Sequence, residues 1–148
     1  MKRLFFTPRG FLISGGIVLT VLGALGALGI LSQTFAPGFW LDQYESVTYL
    51  ALGIFALLAV YLPGLNRTMR PWYRRIVQAY GVIALLAGLY GFATPGAAQP
   101  NVVGLANLEP AEFVWLLVLA TWAFAAGYYP ATDAGTSGAV PARAESGT

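Results

Sequence analysis

ESVTYLALGIFALLAVYLP, residues 45–63, returns in altered form as EFVWLLVLATWAFAAGYYP, residues 112–130. Each stretch begins with a glutamate, ends with a proline and holds no charged residue in between. A helix of about 20 apolar residues is long enough to cross the hydrocarbon core of a bilayer. The two stretches therefore predict two membrane-spanning helices with a shared pattern.

The composition of the whole chain favours lipid as its solvent. Charged residues make up 9% of the 148 residues and hydrophobic residues 57%, whereas a soluble domain carries about 25% charged residues. The chain has no cysteine and no histidine, which excludes disulfides and both thiol and imidazole chemistry. We find no nucleophile–base pair, phosphate-binding loop or metal-ligand spacing. We therefore predict no catalytic, cofactor or metal site, no enzymatic activity and no nucleic-acid partner.

Two further apolar stretches bring the number of predicted spans to four. The spans cover about 11–32, 45–63, 75–93 and 112–130. Backbone polar groups in lipid have no water to bond with, so such segments are helical. A soluble core helix explains one apolar stretch but not four in a row. We predict an all-α integral membrane protein, with a four-helix domain at 1–130 and a low-complexity cytoplasmic tail at 131–148.

The charged residues predict the orientation of these spans. Basic residues lie in the N-terminal segment and the central connection: Lys2, Arg3, Arg9, Arg67, Arg70, Arg74 and Arg75. The other two connections carry only acidic residues: Asp42, Glu45, Glu109 and Glu112. Positively charged segments stay on the cytoplasmic side. The pattern predicts a multi-pass protein of the bacterial inner (cytoplasmic) membrane with both termini inside, an N-in/C-in topology.

The sequence pattern of a helical hairpin occurs twice in the chain, at about 9–63 and 74–130. At an offset of 65, arginine and glycine positions of the first copy return in the second: Arg9 and Arg74, Gly16 and Gly81, Gly23 and Gly88, Gly26 and Gly91. At an offset of 67, Glu45 matches Glu112 and Pro63 matches Pro130. Both copies begin and end on the same side, so we predict parallel repeats related by an axis along the membrane normal.

Small residues spaced four apart mark candidate packing faces on the first and third spans. These residues are Gly16, Thr20, Ala24, Ala84 and Gly88. Such spacing lets helix backbones approach closely, which favours association in lipid. The faces either pack this chain's own helices together or accept a helix from a partner protein.

Glu45 and Glu112 are candidate acids at the outer surface, where the second and fourth spans begin. A carboxylate at this position meets the positive end of the helix dipole and its free N–H groups. A structural cap is the simpler interpretation. The alternative is a proton relay or cation site, which requires the two carboxylates to converge.

Four arginines at the inner surface are candidate contacts for anionic lipid headgroups: Arg67, Arg70, Arg74 and Arg75. Each such charge near an acidic leaflet contributes about 1 kcal/mol of binding. The same residues also suffice to set the topology, and the sequence does not separate these two roles.

The starts of spans two and four resemble an uncharacterised bacterial family of four-helix membrane proteins. In that family both spans open with an Asn-x-x-His signature. The matching stretches here are YESVTYLALG and PAEFVWLLVLA. Their Asn and His positions hold Glu45 and Thr48 in the first stretch, then Glu112 and Trp115 in the second. The resemblance implies a four-helix membrane fold and no particular activity.

Two functions are compatible with these features. The first is a non-enzymatic accessory or scaffold subunit that contacts membrane lipids and a larger membrane protein, for example in a respiratory or photosynthetic complex. The alternative is a small oligomeric transporter or channel. The spans hold none of the embedded charges that usually mark an ion path, so the sequence favours the subunit.

Overall fold

The computed structural model describes residues 4–32, 39–93 and 110–128, and the regular secondary structure of this part of the chain is entirely helical. The elements are a 3-10 turn at Leu4–Phe6, α1 at Pro8–Ala27, α2 at Gln43–Tyr61, α3 at Pro63–Met69, a 3-10 turn at Arg70–Trp72, α4 at Tyr73–Ala93 and α5 at Pro110–Tyr128. Four helical segments are long and apolar enough to cross a membrane, the third of which runs from α3 through α4. The prediction of an all-α chain with four such segments is confirmed. The predicted tail at 131–148 lies outside the described residues.

Helix α1 begins and ends at recognisable caps. Thr7 precedes it, and the Thr7 hydroxyl accepts a hydrogen bond of 3.0 Å from the Gly10 N–H. At the other end Gly29 adopts a φ of +73°, which glycine reaches without steric cost. The Ile30 N–H then bonds the Leu25 carbonyl at 3.0 Å, the closing bond of a Schellman motif. The helix therefore stops at Ala27, five residues before the predicted end at 32.

The segment between the second and third spans is helical, although its sequence predicts a connecting loop. Leu62 is extended, with φ −79° and ψ 114°, because a residue before proline avoids the helical region. Pro63 then opens α3, since the first position of a helix needs no N–H donor. The central arginines therefore lie on short helical turns and on the first turn of α4.

Helices α1 and α2 form a hairpin whose contact is built on glycines. A Cβ placed on Gly53 would lie 2.5 Å from the Thr20 nitrogen and 2.8 Å from the Gly16 carbonyl oxygen. A Cβ on Gly23 would lie 2.7 Å from the Ser46 carbonyl oxygen. These positions tolerate no side chain, so the two backbones lie in direct contact.

Helices α4 and α5 form a second hairpin with corresponding contacts. A Cβ on Gly81 would lie 3.2 Å from the Ala123 methyl, as one on Gly16 would lie 3.2 Å from the Ala56 methyl. A Cβ on Gly88 would lie 3.2 Å from the Phe113 carbonyl oxygen. Glycines of α4 therefore meet α5 along the length of the hairpin.

Aromatic side chains join the two hairpins. The Tyr73 hydroxyl donates to the Ala59 carbonyl at 2.7 Å, and the Tyr80 hydroxyl donates to the Leu52 carbonyl at 3.0 Å. The Phe11 ring packs edge-on against Trp122 at a centroid distance of 4.8 Å. These contacts place the starts of α1 and α4 beside the ends of α2 and α5. We call this the arginine end, and we call the opposite end, where α2 and α5 begin, the acid end.

Candidate functional site

Two glutamates are buried at the acid end. Glu45 is 5% exposed and Glu112 is 0% exposed, and both are the third residue of their helices. Their side chains are turned inward at the starts of α2 and α5, and the predicted position at the outer surface of a membrane stays a prediction. A charged side chain is rarely buried to this extent unless it is paired.

Helical periodicity explains the burial. In α2 the buried positions that follow Glu45 at intervals of three or four residues are Tyr49, Gly53, Ala56 and Val60. In α5 the corresponding positions after Glu112 are Leu116, Leu119, Ala123 and Ala126. Residues at such intervals share one helix face. Each glutamate is therefore the first residue of the stripe that its helix turns toward the bundle.

Glu45 is held in a capping box with Asp42. The Glu45 N–H donates to Asp42 Oδ1 at 2.8 Å, and the Asp42 N–H donates to Glu45 Oε2 at 2.9 Å. The Ser46 hydroxyl adds a bond of 2.6 Å to the Asp42 carbonyl. These bonds satisfy two of the free donors at the start of α2 and fix the Glu45 side chain. The expected contact with the helix N-terminus is thus present at Glu45.

Tyr49 is buried on the same face of α2 as Glu45. It follows Glu45 by one helical turn and is 8% exposed. Within the described ranges, the Tyr49 hydroxyl is buried and has no hydrogen-bond partner. A buried donor without an acceptor is costly, so this hydroxyl is an unusual feature of the bundle interior. We refer to Glu45, Glu112 and Tyr49 as the acid site.

The basic residues that the structure describes all lie at the arginine end, away from the acid site: Arg9, Arg67, Arg70, Arg74 and Arg75. No group of three or more His, Cys, Asp or Glu side chains among the described residues could hold a metal ion.

The predicted packing residues lie along the hairpins. Gly16 and Thr20 lie in the contact between α1 and α2, and Gly88 lies in the contact between α4 and α5. Ala84 is buried and Ala24 is half-buried. The close contacts that Gly16 and Gly88 make are with this chain's own helices.

The four candidate lipid-binding arginines remain exposed to the surroundings: Arg67, Arg70, Arg74 and Arg75. The Arg75 guanidinium lies over the Trp72 ring, 4.8 Å from its centroid. Trp72 is itself half exposed. A guanidinium stacked on an indole at the end of a helix is typical of the basic and aromatic residues that lie at membrane–water interfaces.

Sequence reasoning missed Tyr49. The signal was its position, one turn after Glu45 and therefore on the same face of α2. Two further polar atoms are buried without a hydrogen-bond partner in the described part of the chain, Thr20 Oγ1 and Trp115 Nε1. Trp115 lies three residues after Glu112 on the same helix.

The chain matches no protein-family model, no curated protein sequence and no solved structure. The resemblance to four-helix proteins with Asn-x-x-His signatures therefore stays a prediction, and the function has to be argued from the acid site itself.

Proposed function

We propose that this chain is a small, non-enzymatic membrane transporter or channel for a small monovalent cation, with the acid site as its ion-binding site. The burial of both Glu45 and Glu112 at the acid end carries the proposal. Ionisable side chains inside a membrane bundle are costly and usually mark ion or proton paths. The sequence offered no embedded charge in support of this function, and the two buried glutamates are the ionisable groups on which the proposal is built.

The hairpin contacts support a duplicated architecture for this transporter. The contact of Gly81 with Ala123 repeats that of Gly16 with Ala56 at offsets of 65 and 67. We propose that the two hairpins are parallel repeats in an N-in/C-in topology in the bacterial inner membrane. The acid site then lies near the outer surface, and the arginine end contacts the cytoplasmic leaflet.

Cation movement is measured with the full chain in sealed liposomes. A pH-sensitive dye inside the vesicles reports proton entry, and a sodium-sensitive dye in parallel vesicles reports sodium entry. We expect flux above that of empty liposomes when a gradient is imposed. Glu45→Gln and Glu112→Gln should each reduce that flux at least tenfold. Tyr44→Phe is the matched control, since Tyr44 is 66% exposed on the same helix. A wild-type chain that conducts neither ion above background would refute the proposal.

An accessory subunit is the second candidate, and a groove on α5 favours it. This apolar groove has a volume of about 530 Å³, and its lining consists of Phe6, Val114, Leu117, Val118, Thr121, Trp122 and Ala125. A membrane partner helix of a larger assembly, such as a respiratory or photosynthetic complex, fits a groove of this chemistry. Purification in mild detergent followed by mass spectrometry tests it. Thr121→Trp should release a partner that wild type retains, and a partner retained by both refutes this use of the groove.

A further inference from the structure

We infer that the connector between α2 and α4 holds a defined binding site for an anionic phospholipid, in which guanidinium groups bond the lipid phosphate and Trp72 orients Arg75. The connector is residues 63–75, which run through α3, the 3-10 turn and the first turn of α4. The inference goes beyond the proposed function and does not rest on it. The juxtaposition behind it is four exposed arginines on a short connector that the bundle holds in place.

The connector divides its residues between two sides. Leu65 and Met69, four residues apart, are partly buried and pack against the core. Arg67, Arg70 and Arg74 follow one another at intervals of three and four residues, and all three are exposed. Residues at such intervals share one face of a helix. The connector therefore turns an apolar face toward the bundle and presents a stripe of three arginines to its surroundings.

Two hydrogen bonds fix the connector to the end of α2. The Asn66 side-chain amide donates to the Val60 carbonyl, and the Tyr73 hydroxyl donates to the Ala59 carbonyl at 2.7 Å. Pro71 lies in the 3-10 turn, where its ring restricts the backbone further. A surface that is held in place before a ligand arrives loses little conformational freedom on binding, which favours affinity.

The arginines of the connector have no acidic neighbour at their own end of the described chain. The acidic residues that the structure describes are Asp42, Glu45 and Glu112, and all three lie at the acid end. Like charges three or four residues apart on a helix repel each other and destabilise it. An anion that approaches the stripe from outside offsets this repulsion. Because the connector stands between the apolar lengths of two candidate membrane spans, the anions nearest to it in a bilayer are lipid phosphates.

Trp72 orients the fourth arginine of the connector. The Arg75 guanidinium lies over the Trp72 ring, 4.8 Å from its centroid. Stacking uses the flat face of the guanidinium and leaves the N–H donors along its edge free. These donors match two oxygens of one phosphate, whereas a lysine ammonium acts as a point charge. Arg75 is therefore ready to bond a phosphate without first having to be ordered.

Native mass spectrometry of the full chain, titrated with one lipid at a time, tests the inference. The probes are phosphatidylglycerol and phosphatidylcholine with the same acyl chains. The first phosphatidylglycerol should bind at least about fivefold more tightly than the first phosphatidylcholine, the factor that one interfacial charge contributes. The combined variant Arg67→Lys, Arg70→Lys, Arg74→Lys and Arg75→Lys keeps every charge, and it should bind phosphatidylglycerol about threefold more weakly because the paired donors are gone. Trp72→Leu should also weaken this binding.

Thr68→Ala is the matched control, because Thr68 is exposed on the connector and its hydroxyl bonds the Gly64 carbonyl at 3.2 Å. It should bind phosphatidylglycerol as wild type does. Equal affinity of wild type for the two lipids overturns the inference. Wild-type affinity in the four-lysine variant or in Trp72→Leu also overturns it, since diffuse charge then explains the binding. Displacement of the lipid by inorganic phosphate shows a site for free anions and overturns it as well. Circular dichroism of every variant confirms that the helices are retained.

Discussion

Replacing Gly53 with alanine should push the first hairpin apart. A Cβ at this position would lie 2.5 Å from the Thr20 nitrogen and 2.8 Å from the Gly16 carbonyl oxygen. Both atoms belong to the backbone of α1, so no side-chain rotation can relieve the clash. Since favourable contacts of carbon atoms begin at about 3.5 Å, the two helices have to separate by roughly 1 Å.

The size of the effect follows from two opposing contributions. Overpacking of a well-packed contact costs about 1–3 kcal/mol, and a clash with rigid backbone belongs at the upper end of that range. Alanine has a higher helix propensity than glycine, which offsets at most about 1 kcal/mol. We therefore expect Gly53→Ala to lower the free energy of unfolding by about 2 kcal/mol.

The assay is reversible unfolding in mixed micelles with increasing SDS, followed by tryptophan fluorescence and circular dichroism. Gly15→Ala is the matched control on α1, because a Cβ there would lie 3.7 Å from the Phe11 ring, an ordinary contact. It should leave stability unchanged or raise it slightly. If Gly53→Ala and Gly15→Ala unfold at the same SDS fraction, the close backbone contact between α1 and α2 is wrong.

Three further predictions concern the hairpin interface, the arginines and the orientation. Tyr73→Phe should lower the free energy of unfolding by about 1 kcal/mol, because it leaves the buried Ala59 carbonyl without its donor. Tyr61→Phe is the control and should leave the free energy of unfolding unchanged, because Tyr61 is 62% exposed. Glutamine should replace all four candidate arginines in one variant: Arg67, Arg70, Arg74 and Arg75. In native mass spectrometry this variant should no longer retain anionic lipid in preference to neutral lipid. Unchanged retention would leave the setting of topology as the only role of these arginines. Single cysteines introduced within 97–108 should react with a membrane-impermeant reagent added outside intact cells. Single cysteines within 66–70 should not react. The reverse pattern would contradict the N-in/C-in topology.

The helical architecture was predictable because membrane-spanning helices leave a long and simple signal. Uncharged runs of about 20 residues identify the helices, and their starts fell within three residues of those observed. The end of α1 was missed because it depends on the left-handed conformation of Gly29. In a segment with many glycines, composition does not tell which one ends the helix.

The burial of the acids was harder to predict because a cap and a buried acid look alike in sequence. A glutamate at the third position of a helix can bond the free N–H groups whichever way the helix is turned. Whether Glu45 also points into the bundle depends on the face that α2 presents to its neighbours. That face is set by contacts distant in sequence, such as the one from Tyr80 to Leu52. Only the assembled helices therefore reveal that Glu45 caps its helix and is buried at once.

The two proposed copies of the hairpin differ at the position that matters most for the acid site. At the offset of 67 that pairs Glu45 with Glu112, Tyr49 of the first copy corresponds to Leu116 of the second. Both side chains are buried, but only the first has a hydroxyl. The first copy therefore has a buried hydroxyl one helical turn after its glutamate, and the second copy has a leucine at the corresponding position. Among the described residues the Tyr49 hydroxyl has no hydrogen-bond partner, and a buried polar group without a partner does not stabilise the fold. Tyr49→Phe removes this hydroxyl and keeps the ring, so it should leave the free energy of unfolding in mixed micelles unchanged or raise it. A loss of about 1 kcal/mol or more would show that the hydroxyl has an acceptor on which the fold depends.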